Sequence, residues 1–184
     1  SVADLRDALK INPASTAALA ELEALAEDGN ARAAVYAANA YRGGLGAERD
    51  FDQAFALAAR AAELGNSSGL LVQGDIIRQK GRGSDAAIAQ ARPFWDQAAA
   101  LGNPGALARL AQVDAPALVA LIQGALSSKG FNTGVADGVI GPKTLSAMTG
   151  YCAEAEIAEA CASGELVASP VLRALARSGL FNSN

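Results

Sequence analysis

Apolar positions along this chain recur at three- and four-residue intervals, the period of an amphipathic helix, and glycine, asparagine and proline interrupt them at regular places. Residues 3–11 read as a short helix that Asn12-Pro13 ends, because the residue before a proline is pushed out of the α region. Ser15 or Thr16 then caps a helix with Leu19, Leu22, Leu25 and Ala26 on one face, closed by Asp28-Gly29. Far downstream, Leu118, Leu121, Ile122, Ala125 and Leu126 share one face of another helix, which Gly130-Phe131 ends. Asp137-Gly138 is turn chemistry, since the Asp side chain can bond the backbone ahead and Gly accepts positive φ. Gly141-Pro142 reads as a helix start, where the missing proline N–H costs nothing. A last helix over 169–178 is announced by Ser169-Pro170 and carries Val171, Leu172, Leu175 and Ala176.

Between these ends the pattern repeats. Gly29-Asn30, Gly65-Asn66 and Gly102-Asn103 are separated by 36 and then 37 residues. Internal periods of that length mark solenoids of helical hairpins. A helix is expected after each pair, over 33–41, 69–77 and 106–112, and the first two meet glycine-rich turns at 42–46 and 80–83. Second helices follow, with Ala54, Ala58, Ala61 and Ala62 in one unit and Ala91, Trp95, Ala98 and Ala99 in the next. Pro93 is expected to kink or split the latter, since it removes a hydrogen bond. Trp95 is expected to be a large buried residue among alanines. Asp114-Ala115-Pro116 marks a boundary, dividing a repeat array at 1–113 from a second domain at 114–184; so short a link predicts that the two are docked.

Two resemblances follow. Tyr41, Gly44, Gly46, Asp50 or Asp52, Ala61, Ala62 and Gly65 resemble a unit of the SEL-one-like subfamily of tetratricopeptide repeats, and the next unit fits more loosely, with Ile77 or Arg78 where the Tyr would stand. The likeness implies a short α-solenoid of two full units flanked by half-units, over about residues 16–113, with Tyr36, Asn39 and Tyr41 on the face that usually lines the concave side and docks proteins, although Tyr41 also reads as a packing residue. Leu121, Gln123, Leu126, Gly130, Phe131, Asp137, Gly138, Ile140, Gly141, Pro142, Thr144 and Ala147 resemble the peptidoglycan-binding module of bacterial cell-wall proteins, a compact three-helix domain. Ile140 replaces its usual Phe, and Thr149-Gly150-Tyr151 stands where it usually closes with Phe-Gln. By that likeness the candidate glycan contacts are Phe131, Asp137, Gly138, Ile140, Gly141 and Thr144, although Phe131 and Ile140 also read as core and the others also read as turn and helix-start residues.

Composition agrees with an all-α fold. Of 184 residues, 51% are hydrophobic, carried largely by alanine, and only 5% are aromatic, so close helix packing must replace large side chains. The net charge is −4 and no basic cluster is visible along the chain, which argues against nucleic acid. There is no histidine, which removes Ser-His-Asp and Cys-His nucleophiles and imidazole metal sites. The carboxylates, Glu154, Glu156 and Glu159 included, read as solvated helix faces rather than a catalytic pair, so no enzyme, cofactor or metal is expected. The longest apolar run, 115–122, is too short to span a bilayer. A start at Ser1 without a signal peptide suggests a piece cut from a longer or processed precursor, with the exported part of a membrane-anchored protein as one form of that expectation.

Cys152 and Cys161 are the only cysteines. On one continuous helix they would stand about 13.5 Å apart on opposite sides, whereas a disulfide needs roughly 5.5–6 Å. The Ala- and Glu-rich segment between them favours a helix, yet a paired count suits an exported domain. A bridge across a broken helix is the expectation, against two buried thiols. With the domain order, which resembles the periplasmic end of bacterial polar localisation factors of the PodJ type, these readings converge on a non-enzymatic periplasmic scaffold that docks unknown protein partners and binds peptidoglycan weakly. The alternative is an interaction adaptor or regulator whose terminal module is purely structural.

Overall fold

A computed structural model describes residues 1–182, and among them the chain is all-helical, without a strand. The helices are α1 (Val2–Ile11), α2 (Thr16–Glu27), α3 (Ala31–Gly43), α4 (Phe51–Glu63), α5 (Ser67–Lys80), α6 (Asp85–Ala100), α7 (Pro104–Val113), α8 (Ala115–Ser128), α9 (Pro142–Glu154), α10 (Ala158–Cys161) and α11 (Ser169–Arg177). By internal contacts the chain divides into two compact units, Ser1–Gln97 and Ala98–Asn184. In the first, each of α1 to α4 packs on the next, and α3 also touches α1 and α5. In the second, α7 packs on α8 and α11, α9 on α8 and α10, and α10 on α11. No helix among the described residues is long and apolar enough to cross a membrane.

The recurring Gly-Asn pair has one local meaning at all three places. Gly29, Gly65 and Gly102 sit at φ +88°, +82° and +72°, where the chain leaves a helix through a left-handed residue. Asn30, Asn66 and Asn103 then cap the next helix: each side-chain oxygen accepts backbone N–H groups of the first turn, Arg32 and Ala33, Ser68, and Gly105 and Ala106 respectively. One dipeptide thus closes one helix and opens its successor. Arg60 of α4 adds a second device, its Nε and Nη2 donating to the terminal carbonyls of Ala26 and Glu27 on α2 at 2.9 and 2.8 Å.

The core of the first unit is built mainly from alanines, with Leu9, Leu19, Leu22, Val72 and Ile76 among them. Small side chains let helices approach until backbones touch. A Cβ on Gly69 of α5 would run into the Ala58 carbonyl and the Ala62 amide of α4, and one on Gly74 would strike the Trp95 indole. Trp95 is fully buried, as expected. Phe94 beside it meets Phe55 edge-on, ring centres 5.8 Å apart.

Pro93 does not split its helix; α6 runs unbroken from Asp85 to Ala100. Pro93 and Ala89, four residues earlier, both lie on the exposed side, so the carbonyl left without its N–H partner is on the side open to water. Buried Ala91, Trp95, Ala98 and Ala99 anchor the opposite face.

In the second unit the continuous-helix alternative fails and the bridge forms. α9 stops at Glu154, Glu156 takes φ +57°, and the chain restarts as the four-residue α10. This reversal brings the two Cα atoms to 6.4 Å, and Cys152 and Cys161 are disulfide-bonded. Closing a loop of this size contributes about 2.5 kcal/mol in the chain-entropy account, which offsets the roughly 1–2 kcal/mol of a non-glycine residue in the left-handed region.

Candidate functional site

The turn between α8 and α9 is assembled on one buried side chain, Gln123. It lies on the same face of α8 as Leu118, Val119, Ile122 and Leu126 and is 1% exposed, so its amide must find partners inside. It finds four. Its Nε2 donates to Asp137 Oδ1 (3.1 Å), the Val139 carbonyl (3.0 Å) and Thr144 Oγ1 (3.0 Å), two hydrogens serving three oxygens. Its Oε1 accepts the Gly138 N–H at 2.9 Å. Asp137 Oδ1 also accepts the Val139 N–H at 2.9 Å, the Asx turn expected of an Asp-Gly pair. That backbone donor first, and the Gln123 amide second, hold the Asp137 carboxyl below the ordinary carboxylate range. Gly138 sits at φ +77°, and a Cβ there would collide with the Pro116 carbonyl. Gly141 and Pro142 open α9, as the sequence suggests.

The six residues put forward as glycan contacts therefore divide. Asp137, Gly138 and Thr144 are engaged by Gln123, and Gly141 shapes a helix start. Phe131 is half-buried, edge-on to Tyr151 at 5.5 Å, and Tyr151 in turn shares a 2.8 Å hydrogen bond with the Ser178 hydroxyl. That contact accounts for Tyr151, which departs from the resembled motif. Ile140 is not core: it is 42% exposed, because the Asp-Gly turn spends its buried face on the Gln123 amide. With Val135, Val139 and Leu145 it leaves several large apolar side chains in water around this turn and the start of α9.

In the first unit, Tyr36 and Asn39 line one cavity of about 230 Å3 with Arg6, Leu9 and Lys10 of α1 and with Ala40 and Leu45. Arg6 and Arg32 flank the Tyr36 ring at 5.3 and 5.5 Å from its centre, and both donate to its hydroxyl, at 3.3 and 3.0 Å. Asn39 Nδ2 donates to the Val35 carbonyl at 2.9 Å. Tyr41 is elsewhere: its hydroxyl donates to Glu23 Oε1 of α2 at 2.7 Å, tying two helices together. The Glu23 carboxylate, chiefly as hydrogen-bond acceptor, pushes the Tyr41 phenol up to about 12 from 10.0. A raised pKa means the folded state holds this proton more tightly than the unfolded one, so its contribution to stability is complete below pH 10 and is lost as pH rises towards 12. Tyrosinate absorbance of the native protein should therefore include a late phase that Tyr41→Phe removes; an unchanged late phase would refute the assignment.

Sequence reasoning missed Gln123 as a contact residue of the site, although the motif contained it, because a buried amide is visible only when its acceptors converge. Among the described residues no group of three or more His, Cys, Asp and Glu side chains is placed to share a metal ion. Comparisons with protein-family models, curated proteins and solved structures return no match for the chain.

Proposed function

We propose that this chain is a non-enzymatic scaffold or localisation protein of the periplasm, which docks protein partners through helical-hairpin repeats of the SEL-one-like kind and holds peptidoglycan weakly through a module like that of cell-wall proteins. The observation that carries the docking role is the cavity between α1 and α3, with Tyr36 set between two guanidinium groups and Asn39 beside it. Tyrosine and arginine are the side chains from which binding hot spots are most often built. The thrice-repeated Gly-Asn punctuation, with its period of 36 and 37 residues, supports the repeat reading. The bridged cysteines are compatible with an oxidising compartment such as the periplasm. On the peptidoglycan side, the accessible part of the module is its apolar tip at Val139 and Ile140.

One observation favours the second reading, an adaptor or regulator whose module is structural. Asp137, Gly138 and Thr144, the polar residues most characteristic of the motif, are held by Gln123. Co-sedimentation with purified sacculi at low salt separates the two. The first reading expects the chain in the pellet and Ile140→Asp in the supernatant, since a charge at a half-exposed contact position must be desolvated on binding. Wild-type protein that stays in the supernatant would leave the structural reading in possession.

A further inference from the structure

Charge in the first unit is segregated by helix. The odd-numbered helices α1, α3 and α5 carry six cations, Arg6, Lys10, Arg32, Arg42, Arg78 and Lys80, against three aspartates. The even-numbered α2, α4 and α6 carry seven carboxylates against Arg60 and Arg92. The chain as a whole is acidic, at −4, so this division runs against its overall field. Along the sequence the six cations are scattered over some 75 residues, and no basic cluster is visible there. Contact of α3 with both α1 and α5 sets their helices side by side and assembles one.

The cations share a face. Arg42 and Arg78 each stand thirteen residues after a Gly of the repeating pair, Gly29 and Gly65, and so occupy the same place on α3 and α5. Arg42 Nη1 reaches across to Asp75 Oδ2 of α5 at 3.2 Å, and Arg78 is one turn beyond Asp75 on the same side of that helix. Arg78 is half-buried, and its Nε is sealed from solvent with no hydrogen-bond partner. On α3, Arg32, Tyr36, Asn39 and Arg42 follow one another at three- and four-residue steps, and Arg6 and Lys10 of α1 border the same cavity. The carboxylates facing this group are Asp7, bonded to Arg6 and Lys10, and Asp75, bonded to Arg42. Lys80 lies at the margin, paired with Asp52.

The cavity beside these charges is largely apolar, walled by Leu9, Ala40, Leu45 and the Tyr36 ring. At about 230 Å3 it is smaller than the roughly 300–1,000 Å3 of small-molecule sites. It suits a single large side chain.

We infer that the face formed by α1, α3 and α5 docks an acidic segment of a partner protein, carboxylates meeting Arg32, Arg78 and Lys10 while one apolar side chain enters the cavity at Tyr36. This rests on the docking role proposed above and adds the chemistry of the partner. A nucleic acid fits less well, because two of the arginines are already paired with aspartates, the overall charge repels a polyanion, and no phosphate backbone would fill the apolar cavity.

Selection of a random peptide display library on the immobilised full chain tests it, followed by anisotropy of the enriched peptides with wild type, Arg78→Glu and Arg32→Glu. Circular dichroism checks that both variants remain folded. Enriched peptides should combine Asp or Glu with a Leu, Ile or Phe, and each charge reversal should weaken them about tenfold or more, the value of one charge-assisted contact. The loss should shrink at 0.5 M salt, where the Debye length falls to about 4 Å. Enrichment of neutral or basic peptides, or binding indifferent to both reversals, would overturn the acidic-partner inference and leave docking standing. A library that yields no binder would remove the docking role itself. Tighter binding of a 20-base-pair DNA duplex than of any peptide would reassign the face to another class of partner.

Discussion

Gln123→Leu lowers the stability of the second unit by about 3 kcal/mol, because an apolar isostere leaves the turn between α8 and α9 without its donor and its acceptor. Thr144 Oγ1 is the worst affected, since Thr144 is 1% exposed and water cannot replace the lost partner. Asp137 and the Val139 carbonyl are open to solvent and lose less. For a unit of this size the shift in thermal midpoint is on the order of 10–20 °C. The variant also exposes the Gly138 amide, which donates to Gln123 Oε1 in the wild type, so its hydrogen exchange should accelerate before global unfolding. Gln123→Glu makes a sharper test. A carboxylate there faces the Asp137 carboxylate and two further oxygens, so the variant should be less stable than Gln123→Leu at pH 7 and recover part of the loss at pH 4. Native-like exchange at Gly138 in both variants would mean that Gln123 does not organise the turn.

Gly69→Ala should cost the first unit as much through a different mechanism. The new methyl has no rotamer to choose, and what it meets is backbone, the Ala58 carbonyl and the Ala62 amide. α4 and α5 must separate, and the alanine interfaces on both sides lose contact with them. Overpacking of this kind costs about 3 kcal/mol. Gly65→Ala isolates the packing effect, because a Cβ there meets nothing within 4 Å and only its φ of +82° resists. The Gly69 variant should therefore melt well below the Gly65 variant by circular dichroism. Equal midpoints would show that the two helices are not in backbone contact.

For the proposed role, the two substitutions act on different halves of the function. Gln123→Leu should weaken any sacculus binding without altering peptide capture, and Gly69→Ala should do the reverse, since it disturbs the helix that carries Arg78. A substitution that abolished both equally would point to global unfolding.

Much of this arrangement could be read from residue order. Helical spacing, scarce aromatics and abundant alanine specified an all-helical chain, and Gly-Asn pairs marked three helix junctions whose dihedrals and caps then followed from those two residue types alone. Asp137-Gly138 and Gly141-Pro142 were likewise local chemistry. That Pro93 leaves its helix unsplit, and that Ile140 is exposed, escaped the sequence for a common reason. The cost of a missing hydrogen bond, and the burial of an isoleucine, depend on which way a residue faces, and spacing along the chain does not say what lies opposite. The cysteine pair left two conformations in competition, and the break at Glu156 resolved it.

Residue order by itself determined the elements, their junctions and the composition of their buried faces, because caps, left-handed glycines and helical periodicity are properties of a few neighbouring residues. Only the tertiary structure decided that Gln123 would gather three oxygens and an amide from a loop more than a dozen residues away, and that scattered cations on alternate helices would form one face. Those outcomes depend on distances between segments remote in the chain, and burial and Coulomb energies follow those distances alone.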